Sequence, residues 1–318
     1  MHTVLPVTII GGYLGSGKTT LINHLIRHAN GVRLAVLVND FGELPIDAEL
    51  IDAQEGDVIS LSGGCLCCSY GDDLTLSLQK LLKRKELPDH IIIEASGVAL
   101  PGAIGKSLSL SRNWRLEGIV VLADSSTIRA ASDQKYIGDT IRRQLNDADL
   151  IIINKLDLSA TSEINDIHAW LHEHYSQAQL INSVFSTISP EVLFDIKHKS
   201  NFLKNQEANA LQKNKLSDEQ HFTAPDHHAS SVFSSIELII KQPVDANKLA
   251  ASLADKHCKL VRAKGFVRNT DNILKTIQVV GRRWSVTEAP TDVQPGLVCI
   301  SCSDDLTESG LRSLCNLT

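Results

Sequence analysis

The sequence predicts an α/β protein: a domain with a parallel sheet covered by helices, followed by a smaller α+β domain. Three observations predict this. Apolar, β-branched runs alternate with helical patterns from residue 4 to about 185. The runs are continuous rather than alternating in polarity, as expected for strands buried on both faces. Beyond a polar stretch at 199–229, shorter apolar segments resume with mostly alternating character. The expected organisation is therefore a parallel α/β domain at 1–198, a polar linker at 199–229 and a second domain at 230–318.

Each element has its own justification. The strand candidates of the first domain are "VTII" (7–10), "LAVLV" (34–38), "HIIIE" (90–94), "GIVVLAD" (118–124) and "LIIIN" (150–154). Helical spacing marks "TTLINHLIRHA" (19–29), "DDLTLSLQKLLKRK" (72–85), "YIGDTIRRQLND" (136–147) and "EINDIHAWLHEHY" (163–175). Strand and helix in turn make a doubly wound sheet. In the second domain the segments are "SVFSSIELII", "DANKLAASLADKH", "LVRAKGFV", "TIQVVGRRWSV", "GLVCISC" and a helical tail, "DDLTESGLRSLCNL".

Composition narrows the function classes. The chain has 318 residues, 43% apolar, with a formal net charge of -6. That balance offers no electrostatic footprint for nucleic acid or anionic lipid. The N-terminus lacks the basic and small-residue features of a signal peptide, and no run is long enough to span a membrane. Seven cysteines without an export signal fit a reducing cytoplasm.

"GYLGSGKT" (12–19) matches G-x-x-x-x-G-K-[ST] between a strand and a helix. Backbone N–H groups of such a loop and the helix N-terminus point at phosphate oxygens. Gly12, Gly15 and Gly17 permit the tight path, with Ser16 and Thr20 beside them in the nucleotide-binding set. Lys18 is expected to reach the β- and γ-phosphates and Thr19 to ligate magnesium. Asn154, Lys155 and Asp157 follow a buried strand as N-K-x-D. Asp157 can accept from N1–H and the 2-amino group of guanine, whereas adenine would leave a buried carboxylate unpaired at about 1–3 kcal/mol or more. Guanine is therefore expected over adenine. Glu94 ends a buried strand with Gly97 three residues on, a Walker B pattern in which the carboxylate holds magnesium and Gly97 senses the γ-phosphate. Lys18, Thr19 and Glu94 are the expected catalytic residues. Between these elements, "VNDFGELPIDAEL" (38–50) carries Asp40, Glu43 and Asp47 and fits a switch; Asp47 is a further candidate for magnesium.

"GGCLCC" places Cys65, Cys67 and Cys68 within four positions. Buried apolar thiols are one reading, but an extended segment would send Cys68 to the opposite face from Cys65 and Cys67. A redox pair is another, although neighbours this close make strained disulfides. The third reading is a soft metal site, zinc favoured, with Gly63 and Gly64 letting the thiolates converge and a fourth position left open. Cys258, Cys299, Cys302 and Cys315 read as structural.

"GYLGSGKTT", "VNDFGE", "GGCLCC", "IIIEASG", "ADLIIINKLDL" and, in the second domain, "VRAKGFV" together resemble the CobW-type metallochaperone GTPases, relatives of the UreG and HypB nickel-insertion GTPases. The resemblance covers nearly the whole chain. It implies a GTPase that carries zinc, or a related ion such as cobalt or nickel, on its Cys-x-Cys-Cys motif and delivers it to a client metalloprotein. GTP and GDP would be its nucleotides, with oligomerisation open. Val38 stands where certain members have a metal-proximal Glu, and the His-rich tracts of others are absent. The alternative is a P-loop kinase or ligase acting on a small molecule, its cysteines holding a structural zinc.

Overall fold

The computed structural model describes residues 4–38, 72–194, 234–291, 293–301 and 307–317. The expected linker at 199–229, the 38–50 carboxylates Asp40, Glu43 and Asp47, and Cys65, Cys67 and Cys68 lie outside the described residues.

Six parallel strands form the first sheet: β1 (Leu5–Gly12), β2 (Leu34–Val38), β3 (His90–Glu94), β4 (Trp114–Asp124), β5 (Leu150–Asn154) and β6 (Gln179–Asn182). Their order is β2-β3-β1-β4-β5-β6. Every residue of β2, β3 and β5 is buried, as the unbroken Val, Ile and Leu runs require. Alternate residues feed two cores. Val7, Ile9, Ile91, Ile93 and Ile151 face a layer containing α2 (Asp72–Leu82), α3 (Pro101–Leu108), α5 (Gly138–Asp147) and α6 (Thr161–His174). Ile10, Ile92, Val120, Leu122 and Ile152 face α1 (Lys18–Arg27) through Leu21, Ile22 and Leu25. A short helix, α4 (Ile128–Ser132), follows β4.

The second sheet is antiparallel. Its strands are β7 (Ser234–Leu238), β8 (Leu260–Arg268), β9 (Leu274–Val280), β10 (Arg283–Glu288) and β11 (Gly296–Ser301), in the order β10-β9-β8-β11-β7. Helices α7 (Ala246–Leu253) and α8 (Glu308–Leu314) cover one face, over Ala263, Ile277, Val279, Leu297 and Cys299. Cys258 and Cys315 are buried in the same core, as expected of structural thiols; Cys302 lies outside the described residues. The stretch "TIQVVGRRWSV", read as one segment, is two strands. Gly281, at φ 53°, turns the chain between them. A Cβ there would sit 2.1 Å from the Asp149 carbonyl, so close approach as well as the turn demands glycine.

The second sheet meets the first domain at the amino end of the parallel strands. Val261, Val280 and Ile300 enter the same core as α1. Above them Arg262 reaches Glu117 at 3.4 Å, and Arg115 pairs with the same carboxylate at 2.8 Å. Burial opposes ionisation of Glu117, but Arg262, His90 and Arg115 outweigh it and hold its pKa at about 2. His90 is fully buried against Phe194 and bonded to Thr8 Oγ1 at 2.9 Å; burial pushes its pKa down to about 4. Asp149 receives Arg282 and Arg283 at 3.2 and 2.9 Å. Among the described residues, no helix is long and apolar enough to cross a membrane.

Candidate nucleotide site

The carboxyl ends of β1, β3, β4, β5 and β6 bring the sequence motifs to one edge, where open α/β sheets bind ligands. After β1 the chain runs through Gly12, Gly15 and Gly17 at φ 133°, 75° and 105°. Such angles are strained for side chains with a Cβ, so the glycines let the loop coil. Gly17 precedes α1, whose first turn opens at the loop.

Lys18 is 8% exposed and lies back across the loop, its Nζ donating to the Gly12 carbonyl at 3.0 Å and to Tyr13 at 3.4 Å. Thr19 Oγ1 donates to Glu94 Oε1 at 3.3 Å, so hydroxyl and carboxylate share one spot at the end of β3. Thr20, one residue on, is exposed. The hydroxyls of Ser16 and Ser96 are buried and have no hydrogen-bond partner among the described residues. Buried polar atoms normally find partners. Two that do not, close to Thr19 and Glu94 in sequence, leave hydrogen-bonding capacity in reserve at this edge.

The other part of this edge is assembled from further apart. Asn154 Nδ2 donates to the Ser16 carbonyl at 2.9 Å and to Ser186 Oγ at 2.7 Å. Ser186 returns its N–H to Asn154 Oδ1 at 2.8 Å and its hydroxyl to the Gly17 carbonyl at 3.0 Å. A Cβ on Gly17 would strike both Ser186 Oγ and Asn154 Nδ2 at about 2.5 Å. Lys155 sits at φ 61° with its Nζ on Asp124 Oδ2 at 2.7 Å, while Ser125 Oγ donates to its carbonyl. Burial opposes ionisation of Asp124, but the hydrogen bonds from Lys155 and Ser126 outweigh it and hold the carboxyl below the usual aspartate range. Asp157 lies on a 3₁₀ turn, Leu156–Leu158, and is exposed. The expectation of a penalty against adenine assumed a buried carboxylate; here it is exposed, and such a penalty would require a group that covers it.

The structure thus brings Gly12, Gly15, Ser16, Gly17, Lys18, Thr19, Glu94, Asn154 and Lys155 to one edge. Sequence reasoning missed Ser186 and Asp124. Ser186 lies in "NSVFSTIS" (182–189) after β6, a four-residue strand too short to register as a run. Its one available signal is position: a serine-rich turn after a parallel strand. No group of three or more His, Cys, Asp or Glu able to hold a metal ion occurs among the described residues.

Comparison with known proteins gives two family matches. The model described as "CobW/HypB/UreG, nucleotide-binding domain" matches residues 6–182, and "Cobalamin synthesis protein cobW C-terminal domain" matches residues 233–314. A zinc chaperone CobW of a Sinorhizobium species is 35% identical over 195 residues, covering 51% of this chain and 54% of that one. The zinc-regulated GTPase metalloprotein activator 1 of Dictyostelium discoideum is 30% identical over 239 residues, covering 62% and 50%. The chain thus spans about half the length of these relatives. The zinc chaperone YjiA of Escherichia coli is 28% identical over 275 residues, covering 83% and 81%. The crystal structure of Zn(II)-bound YjiA GTPase from E. coli aligns over 98% of both chains with a TM-score of 0.44 and 23% identity.

Proposed function

The chain belongs to the CobW/HypB/UreG family, and from that premise we propose that it is a GTP-hydrolysing metallochaperone that carries zinc on Cys65, Cys67 and Cys68 and passes it to a client metalloprotein. One observation carries the nucleotide half: the glycine loop, the Thr19–Glu94 pair and the Asn154–Ser186 clamp converge at one sheet edge. Relatives named as zinc chaperones and as a zinc-regulated GTPase support the metal half.

Lys18 neutralises charge on the transferring phosphoryl group, and the loop N–H groups hold it in line for attack by water. The Thr19 hydroxyl and Glu94 carboxylate are hard oxygen donors in contact, a set that fits magnesium, with Asp47 as a further candidate ligand. Bound there, magnesium supplies charge neutralisation at the phosphate oxygens. Asp157 selects guanine, and Lys155, held by Asp124, lies against its ring.

The division at 1–198, 199–229 and 230–318 belongs to the same proposal, as does action in the cytoplasm, where thiolates stay reduced. Zinc is the cargo, with cobalt or nickel as related soft-site ions. The cysteines stand in sequence between the 38–50 carboxylates and the Glu94 strand, the order on which the proposed coupling of γ-phosphate and thiolates rests.

The test is zinc affinity measured by chelator competition with GDP and with a non-hydrolysable GTP analogue. Zinc should be held more weakly with GDP. Cys67→Ala should lose about tenfold or more in zinc affinity while keeping its nucleotide affinity. Identical zinc affinity in both nucleotide states would sink the delivery reading.

A further inference from the structure

Helix α5 runs out through "QLNDAD" (144–149) into β5, and four of these six residues hold structure outside the helix. Gln144 is 1% exposed, and its Nε2 donates to two carbonyls of the loop after β3, Gly97 at 3.1 Å and Ala99 at 2.8 Å. Asp147, one turn on, accepts from the Gly102 N–H at 2.8 Å at the start of α3. A Cβ on Gly102 would lie 2.4 Å from that carboxylate, so the grip is close. The next residues hold the other domain. The Asn146 carbonyl accepts from Arg282 at 2.8 Å, and Asp149 takes Arg282 and Arg283 through its two oxygens. Asp149 also accepts from the Ile119 N–H at 2.9 Å, which fixes the carboxylate to β4.

The loop held by Gln144 touches the phosphate loop. A Cβ on Gly97 would come within 2.4 Å of the Leu14 side chain and 2.9 Å of its backbone nitrogen. A peptide unit is planar and trans, so directing the Gly97 carbonyl at Gln144 sends the Val98 N–H the opposite way. Gln144 therefore sets the plane in which this loop presents its N–H groups. Turning the Gly97–Val98 plane means either breaking a buried hydrogen bond or moving the end of α5 with the loop, and the Ala99 bond holds the Ala99–Leu100 unit in the same way.

We propose that Gln144 is a positioning residue for GTP cleavage, and that the 144–149 segment ties the γ-phosphate side of the site to the Gly281–Arg283 turn of the second domain. This rests on the reading of the Gly97 loop as the γ-phosphate sensor. By it, the second domain registers the nucleotide state from the edge opposite the site, through six residues of one chain segment.

The experiment uses the full chain and measures GDP affinity, affinity for a non-hydrolysable GTP analogue, and single-turnover cleavage. Gln144→Leu should bind GDP within about twofold of wild type, while analogue affinity and the cleavage rate fall about tenfold or more. Arg283→Ala, outside the nucleotide domain, should narrow the preference for analogue over GDP by about threefold. The double variant should lose less than the product of the two single losses. Equal losses for GDP and analogue in Gln144→Leu would reduce Gln144 to packing. An unchanged preference in Arg283→Ala, which also decides the matter should Gln144→Leu not fold, overturns the link. Gly97→Ala separates the premise: if it too leaves analogue-over-GDP preference intact, the reading of the loop fails; if Gly97→Ala and Gln144→Leu alter it while Arg283→Ala does not, only the link fails.

Discussion

At the carboxyl edge of the parallel sheet, polar side chains bind backbone carbonyls and leave hydroxyls open; at the amino edge, charged side chains close on one another. Lys18, Asn154 and Ser186 all reach loop carbonyls, and Ser16 and Ser96 have buried hydroxyls without a partner among the described residues. At the other end Glu117 is 2% exposed between Arg115 and Arg262, and Asp149 is 1% exposed between Arg282 and Arg283. Closure there is not total, since Arg115 Nε and Gln278 Nε2 also lack a partner among the described residues. The difference teaches what each edge is for. On the proposed function, the edge that takes up phosphates keeps its donors on a rigid backbone with capacity in reserve. An edge that joins domains uses its charge internally, and a buried charge deprived of its partner is destabilising.

Four experiments test that contrast, from the largest expected effect to the smallest. Lys18→Ala should lower kcat/KM for GTP by about a thousandfold, ~4 kcal/mol, with the melting temperature nearly unmoved. A large loss of stability in its place would make Lys18 part of the loop's own packing. Glu117→Gln should do the reverse: a loss of about 3–5 kcal/mol in denaturant unfolding, with nucleotide affinity retained wherever the protein is folded. If unfolding is unchanged, the interdomain ion cluster contributes nothing net.

The third experiment is a pH series. His90 has a folded pKa of about 4 against an unfolded value near 6.5, so the unfolded chain binds the extra proton between them. The neutral imidazole's contribution is whole above about pH 6.5 and falls as the pH drops towards 4, by about 3 kcal/mol in total. Glu117, with its depressed pKa, loses its own contribution at lower pH, between the ordinary carboxylate range and about 2. His90→Phe should flatten the stability profile between pH 6.5 and 4; an unchanged slope would assign it to other groups. Smallest is the base switch. Asp157→Asn should shift preference from guanosine to xanthosine triphosphate by about ten- to a hundredfold, ~1–3 kcal/mol, read from competition binding. An unaltered preference would place the base elsewhere than on the exposed Leu156–Leu158 turn.

Much of the nucleotide edge was legible because its signals are local. The glycine loop is a spacing pattern within eight residues, and the "HIIIE" and "LIIIN" runs end where the structure ends β3 and β5. Other elements were hidden for stated reasons. Helix α3, "PGAIGKSL", contains two glycines that weaken its helical signal, and the β6 sequence "QLIN" is shorter than a recognisable run. Ser186 carries no motif, and its role follows only from the side chain of Asn154, 32 residues earlier.

The amino edge shows the limit most clearly. In "VRAKGFV" the charges at 262 and 264 look like the solvent face of a strand, yet Arg262 is 3% exposed. Its partner Glu117 is 145 residues away in sequence. By itself the sequence determined which runs would be buried strands and where a glycine loop would open between strand and helix, since chain stiffness and hydrophobic periodicity act over a few residues. Only the tertiary structure decided which buried charges meet, and that Gln144 holds the Gly97 loop while Asp149 holds the second domain. Such pairings depend on strand order and domain docking, and an isolated Glu, Gln or Arg reads the same whether it ends up in water or in a core.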